Sequence, residues 1–280
     1  TQFTTTSAFL TNGDLVISGN PTLDGTCGNA HTNADLDISG SPSFTTPATA
    51  SWTYEGNATY GQGGQPQKRV PTISPASFLT AAQQTLPANQ LYQMKSIYGI
   101  YGMVLNGSGA VITYLKHGQS YRGWTFKSGP IRCDNTAGCV APLTRWEYKD
   151  DTAYDGTYYL EGDVKVSGDP GSTATPWKTT ILATGNIEIP KHPTVSSHLK
   201  DTFLVSGLDI KITGHPTQST SGIIAAHEQI KISGNHTING YLVAENATAT
   251  SNTVTKDTLT GTPTITFDCG LTPPLQGPLQ

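Results

Sequence analysis

The 280-residue chain carries a formal net charge of −4 at pH 7, and only 13% of its residues are charged, about half the usual share. That balance excludes a broad basic surface for nucleic acid or anionic lipid. No run reaches the roughly 18 consecutive apolar residues that a membrane-spanning helix needs, and the surplus of Gly, Thr, Ser and Asn suits turn-rich β structure with little helix.

From the N-terminus, residues 1–45 hold two copies of one phrase, Leu15-Val16-Ile17-Ser18-Gly19-Asn20-Pro21 and Leu36-Asp37-Ile38-Ser39-Gly40-Ser41-Pro42. Residues 46–155 hold none and read as an insertion on the flank of the repeats. Within it, Gly61-Gln62-Gly63-Gly64-Gln65-Pro66 predicts a loop, and residues 75–95 are the best helix candidate, capped by Ser74 or Ser77. A Tyr- and Trp-rich β segment follows, from Ile97 to Tyr148, and spans Cys133 and Cys139. Those two cysteines, six apart with Gly138 between, predict a local disulfide.

Residues 156–268 return to the phrase, in Val164-Lys165-Val166-Ser167-Gly168-Asp169-Pro170, Ile187-Glu188-Ile189-Pro190-Lys191-His192-Pro193, Ile210-Lys211-Ile212-Thr213-Gly214-His215-Pro216 and Ile230-Lys231-Ile232-Ser233-Gly234-Asn235-His236. A weaker copy is Leu259-Thr260-Gly261-Thr262-Pro263, and 269–280 form a tail. The glycine phase steps by 20 to 27 residues. A period in the 20s built on alternating apolar residues and a Gly-Pro corner predicts a stacked solenoid, here an all-β, right-handed parallel β-helix of about seven coils. Period-two alternation turns Ile17, Ile38, Val166, Ile189, Ile212 and Ile232 inward as one aliphatic column. The same alternation places Lys165, Glu188, Lys211 and Lys231 on an exposed face.

Catalytic motifs fail. His227-Glu228 lacks the second histidine of a zinc protease, because Lys231 stands four residues on. No nucleophile elbow or phosphate loop occurs. Asp150-Asp151 is the one paired-carboxylate run, and Asp209-Ile210-Lys211 and Gln229-Ile230-Lys231 sit at ordinary repeat positions. No enzyme activity and no cofactor are expected. His192 and His215 share one repeat phase, one coil after Asp169. The three are a candidate divalent-metal set, against the favoured reading of a column of solvated turn residues. Cys27 lies in the first coil and Cys269 after the last, tens of ångströms apart in a straight solenoid and beyond disulfide reach. Three geometries reconcile them: the tail folds back, the N-terminal coils stack elsewhere, or the bond joins neighbouring chains head to tail.

The phrases Gly156-Thr157-Tyr158-Tyr159-Leu160-Glu161-Gly162, Ile181-Leu182-Ala183-Thr184-Gly185 and Gly222-Ile223-Ile224-Ala225-Ala226-His227-Glu228-Gln229-Ile230 resemble the β-helical C-terminal region of bacterial type IV pilus assembly proteins of the PilX type. The resemblance implies an extracellular, non-enzymatic structural or adhesive component of a cell-surface filament. Its partners would be pilus subunits or further copies of the chain, head to tail. Such proteins usually carry an N-terminal pilin-like helix. This sequence has none and no export signal, so either is expected to have been removed or left out. The alternative is a carbohydrate-binding or carbohydrate-active β-helix, with Trp52, Tyr54, Trp124, Trp146 and Trp177 stacking on sugars of a surface glycan or filling a core. An ice-binding solenoid would need a threonine ladder at one phase. The threonines keep no single phase, and that reading is set aside.

Overall fold

The computed structural model describes residues 6–24, 28–129, 132–134, 138–140, 144–214, 219–247, 256–268 and 270–274. It is a parallel β-helix with three faces, A, B and C, visited in that order by each coil. In one coil Thr202–Ser206 lies on face A, Ile210–Gly214 on face B and Ser219–Ser221 on face C. The next coil repeats this with Ile223–Ala226, Ile230–Gly234 and Thr237–Asn239, paired parallel to the first. Parallel strands cannot be joined by a tight hairpin. A solenoid meets that constraint by routing the chain around the other two faces before it returns.

The coils do not stack in chain order. The coil of Leu242–Ala244, Asp257–Gly261 and Thr264–Thr266 is followed in space by the first coil of the chain, Phe9–Thr11, Leu15–Gly19 and Thr22–Asp24. Ala30–Thr32, Leu36–Gly40 and Ser43–Phe44 come next. Ala48–Ala50, Tyr54–Glu55 and Gly61–Gln62 finish that end. The solenoid therefore continues to residue 62, beyond the last copy of the phrase in this half.

From there the chain runs back over face A. Lys68 exchanges hydrogen bonds with Asn33, its N–H to Oδ1 at 2.8 Å and its carbonyl from Nδ2 at 2.7 Å, and Ile73 N–H donates to Glu245 Oε2 at 2.8 Å. Helix α1, Pro75–Thr85, then packs on the face-A strands Gly156–Leu160, Trp177–Ala183 and Thr202–Ser206. Pro75 suits the first helical turn. Leu86, extended at φ −103° and ψ 146°, precedes Pro87, and the helix stops. It is shorter than the 75–95 expectation because Leu91–Ile97 is already strand. Phe78 and Ala82 are buried beneath it, so face A is covered on both sides and all of Gly156–Leu160 and Thr202–Ser206 are buried. Faces B and C keep the alternation of a half-solvated sheet.

Only the helix and the segment leading to it lie on the flank. Residues 48–62 belong to the N-terminal coils, and residues from 91 on cap the far end, where Leu91–Ile97 extends face A and Thr144–Tyr148 extends face B. Trp124, Trp146, Tyr148, Tyr158 and Trp177 are fully buried there. Trp146 Nε1 donates to Glu161 O at 3.1 Å and Trp177 Nε1 to Tyr154 O at 2.8 Å, whereas Trp124 Nε1 is buried with no hydrogen-bond partner among the described residues. Aromatics of this size fill the mouth of the first coil, which small aliphatics cannot close.

The inward column of face B runs Val164, Ile187, Ile210 and Ile230 on one side of the outward residues and Ile189, Ile212, Ile232, Leu259, Ile17 and Ile38 on the other. All are buried, each stabilising by roughly 1.5–3 kcal/mol. The outward column begins Lys165, Glu188, Lys211, Lys231, as its alternation requires, with Lys165 Nζ 3.2 Å from Glu188.

Candidate ligand-binding face

Face C carries the most regular surface of the molecule. Its core-facing column is Val195, Thr220, Ile238, Ile265, Leu23 and Phe44. On either side of that column stands a row of outward side chains. One row is Ser219, Thr237, Thr264, Thr22 and Ser43, each in register with the next. The other runs Ser221, Asn239, Thr266 and Asp24. Coils repeat at about 4.8 Å and residues i and i+2 stand about 6.7 Å apart, so the rows form a two-dimensional grid. Threonine suits it, because a β-branched side chain is stiff at χ1 and holds hydroxyl and methyl in fixed places.

The grid wraps toward face B. A third row of Thr213, Ser233, Thr260, Ser18 and Ser39 is also in register. Between the faces, Thr262 Oγ1 is hydrogen-bonded to Asn235 Oδ1 of the neighbouring coil, and Ser41 N–H donates to Asn20 Oδ1 at 3.3 Å. Asp24 is the single charged residue in the two face-C rows, and Thr45 Oγ1 donates to its Oδ1 at 3.1 Å. By contrast the outermost row of face B is charged, from Lys165 through Lys231 and again at Asp37 and Glu55.

The hydroxyl rows correct the reading that threonine keeps no common phase. Thr22 is more than 200 residues from Thr237 and Thr264 in sequence, yet its coil adjoins that of Thr264. The phase appears once the coils are placed in spatial order.

A different polar column holds the A–B corner. Asn186 N–H donates to Asp163 Oδ1 at 2.9 Å, Asp209 N–H to Asn186 Oδ1 at 3.2 Å and Gln229 N–H to Asp209 Oδ1 at 3.1 Å. Asp209 and Gln229 are therefore corner caps. Asp257 takes over at the junction with the N-terminal coil, accepting from Ile230 N–H at 2.7 Å, Thr11 Oγ1 at 2.5 Å and Asn246 Nδ2 at 2.8 Å. Complete burial pushes its carboxyl up to about 7, against these hydrogen bonds and with Asp209 adding to the rise. Asp257 sits where the phrase is weakest, and nothing in the sequence singled it out.

The other candidate residues fall as follows. Asp169 Oδ1 accepts the His192 N–H at 2.7 Å and Oδ2 lies 3.6 Å from Lys191 Nζ, so the carboxylate caps a corner. His215 is outside the described residues, and among those described no group of three His, Cys, Asp or Glu is placed to hold a metal. His236 Nε2 accepts the Gly214 N–H at 3.0 Å, and the His192 ring lies against the same glycine. Trp124 and Trp146 are buried in the cap and offer no ring to a sugar, which corrects the ligand-stacking expectation; Trp52 is 61% exposed. Cys133 and Cys139 face each other across a short antiparallel pair, Arg132–Asp134 with Gly138–Val140. Cys27 and Cys269 are outside the described residues.

No protein-family model and no curated protein matches the chain. Two solved structures match. An ice-binding protein from an Antarctic biological consortium aligns over 95% of this chain and 91% of its own at 13% identity and a TM-score of 0.32. The DUF3494 domain of ice-binding protein 1 of Shewanella frigidimarina aligns over 93% of each chain at 17% identity and a TM-score of 0.30. At those scores neither carries an argument about what this chain binds. The pilus resemblance is nonetheless corrected, since no pilus protein is matched and the solved structures that do match are described as ice-binding proteins. With it fall the filament-component and adhesive roles and the carbohydrate alternative.

Proposed function

We propose that face C binds the surface of ice, and that the protein works outside the cell as a non-enzymatic binding protein. The observation that carries this reading is the pair of in-register rows, hydroxyls from Ser219 to Ser43 and Ser221, Asn239 and Thr266 beside them. Ice is a periodic ligand, and a receptor for it needs hydrogen-bonding groups and small apolar groups repeated on a rigid lattice. Both grid spacings lie close to repeat distances of hexagonal ice. Strand-borne side chains are ordered before binding, which lowers the entropy lost on contact. Charged groups hold their own hydration shells, which fits the near absence of charge from these rows.

Thr237→Tyr or Thr264→Tyr, at the centre of the grid, is expected to lower ice affinity at least about tenfold, as loss of a central contact residue does. Lys211→Tyr on face B is expected to leave it unchanged. Thermal hysteresis and partitioning of the protein into a growing ice crystal measure both. Wild-type protein that neither shapes nor enters ice would overturn the reading, as would equal losses from the two faces.

A further inference from the structure

We infer that the two ends of the solenoid dock on each other, so that copies of this chain associate end to end. Three independent features point to it, and none depends on the ice reading.

The first is where apolar surface is left bare. The large hydrophobics that are exposed among the described residues are Trp52 in the terminal N-terminal coil and six residues of the cap, Tyr98 (86% exposed), Ile100, Tyr101, Val111, Ile112 and Tyr114. All belong to the terminal N-terminal coil or to the cap. Tyr114 is in register with Met103, and Met103 with Lys95, so the cap presents aromatic, thioether and cation side by side on one sheet face.

The second is charge. Residues 1–67 contain five acids, Asp14, Asp24, Asp35, Asp37 and Glu55, and neither Lys nor Arg. Residues 91–149 contain seven Lys or Arg against Asp134 and Glu147. The N-terminal coils thus lean acidic and the cap leans basic, with Lys68 and Arg69 following the first stretch and Asp150, Asp151 and Asp155 the second. Complementary potentials of this kind steer encounter and select the partner surface.

The third is strand direction. Val111–Leu115 is antiparallel to Tyr101–Asn106, which is antiparallel to Leu91–Ile97, so the free edge of face A at the cap again runs with the body of the solenoid. Ser120–Tyr121 restores the direction of face B in the same way. At the other end the free edges are Gly61–Gln62 on face A and Tyr54–Glu55 on face B, both parallel to the coils beneath. The cap of one copy therefore meets the N-terminal coils of the next with the sense of an ordinary coil-to-coil step. Val111–Leu115 carries no charge and no proline, the devices that usually keep an open edge from pairing.

A contact of this kind is heterologous and leaves one free end of each type. In sedimentation analysis of the full chain at low salt, mean mass is expected to rise steadily with concentration beyond that of a dimer. It should fall back to the monomer in about 1 M NaCl, where the screening length is about 3 Å. The double variants Lys95→Glu/Lys116→Glu and Asp37→Lys/Glu55→Lys change half-buried or exposed side chains, and folding is checked by circular dichroism. Each alone is expected to associate at least about tenfold more weakly than wild type. Mixed together they are expected to regain open-ended association as alternating copies, because the reversed cap fits the reversed coil end and the two unaltered ends still fit each other. The inference is overturned if wild type stays monomeric at low salt, if its mass stops at two, if the variants associate as wild type does, or if their mixture does not regain association.

Discussion

Asp257 is the residue whose chemistry departs furthest from its ordinary state. Its folded carboxyl is pushed up to about 7 by burial, whereas the unfolded chain releases that proton near pH 4. Between these values the folded state binds the proton that the unfolded state has lost, so stability falls as pH rises from about 4 to about 7. At about 1.4 kcal/mol per pH unit, the effect reaches up to roughly 4 kcal/mol. Asp257→Asn keeps an acceptor for Ile230 N–H and carries no charge. It is expected to flatten the stability profile between about pH 4 and pH 7, read from thermal unfolding at each pH. A variant with the wild-type slope would assign the pH dependence elsewhere.

Among the elements, the corner between faces B and C depends on a glycine column. Gly19 adopts φ +84°, and a Cβ on it would lie 2.5 Å from the carbonyl oxygen of Gly261; Gly40 has φ +96° and a Cβ there would lie 2.2 Å from Gly19 O. The backbones of stacked coils touch at this corner, and both the dihedral and the clearance require glycine. Gly19→Ala is expected to cost at least about 2 kcal/mol, seen as a lowered denaturant midpoint. An unchanged midpoint would mean that the corner relaxes. The glycines were legible in the sequence as corners, because each recurs at a fixed distance from an apolar pair. The A–B corner caps were less so, since Asp163, Asn186, Asp209 and Gln229 share a position but not a residue type.

For the whole molecule, the decisive fact is that the first coil sits on the last. Thr22–Asp24 pairs with Thr264–Thr266, with Asp24 opposite Thr266. Cys27 and Cys269 each follow three residues later in sequence. Of the three geometries open to these cysteines, the strand pairing favours the stacked N-terminal coils, and we propose a disulfide within one chain. It would tie together the two ends of the sequence, with a loop-entropy contribution of roughly 4–5 kcal/mol. Peptide mapping of unreduced protein is expected to recover the Cys27 and Cys269 peptides joined, from a band that migrates as a monomer. A joined pair found only in covalent dimers would overturn this.

The sequence by itself determined the solenoid, its period, its inward aliphatic column and its charged outer row, because each depends on contacts set by alternation within a strand and repetition between coils. It did not determine which coil lies on which. Backbone pairing and aliphatic packing are nearly alike at every step, so the phrase that defines the coils says little about their order. Only the tertiary structure decided that residues 9–62 close the stack beyond residue 266 and that the cap sits opposite them. From that order come the hydroxyl rows of face C, assembled from segments at both ends of the chain, and the opposed charge of the two ends.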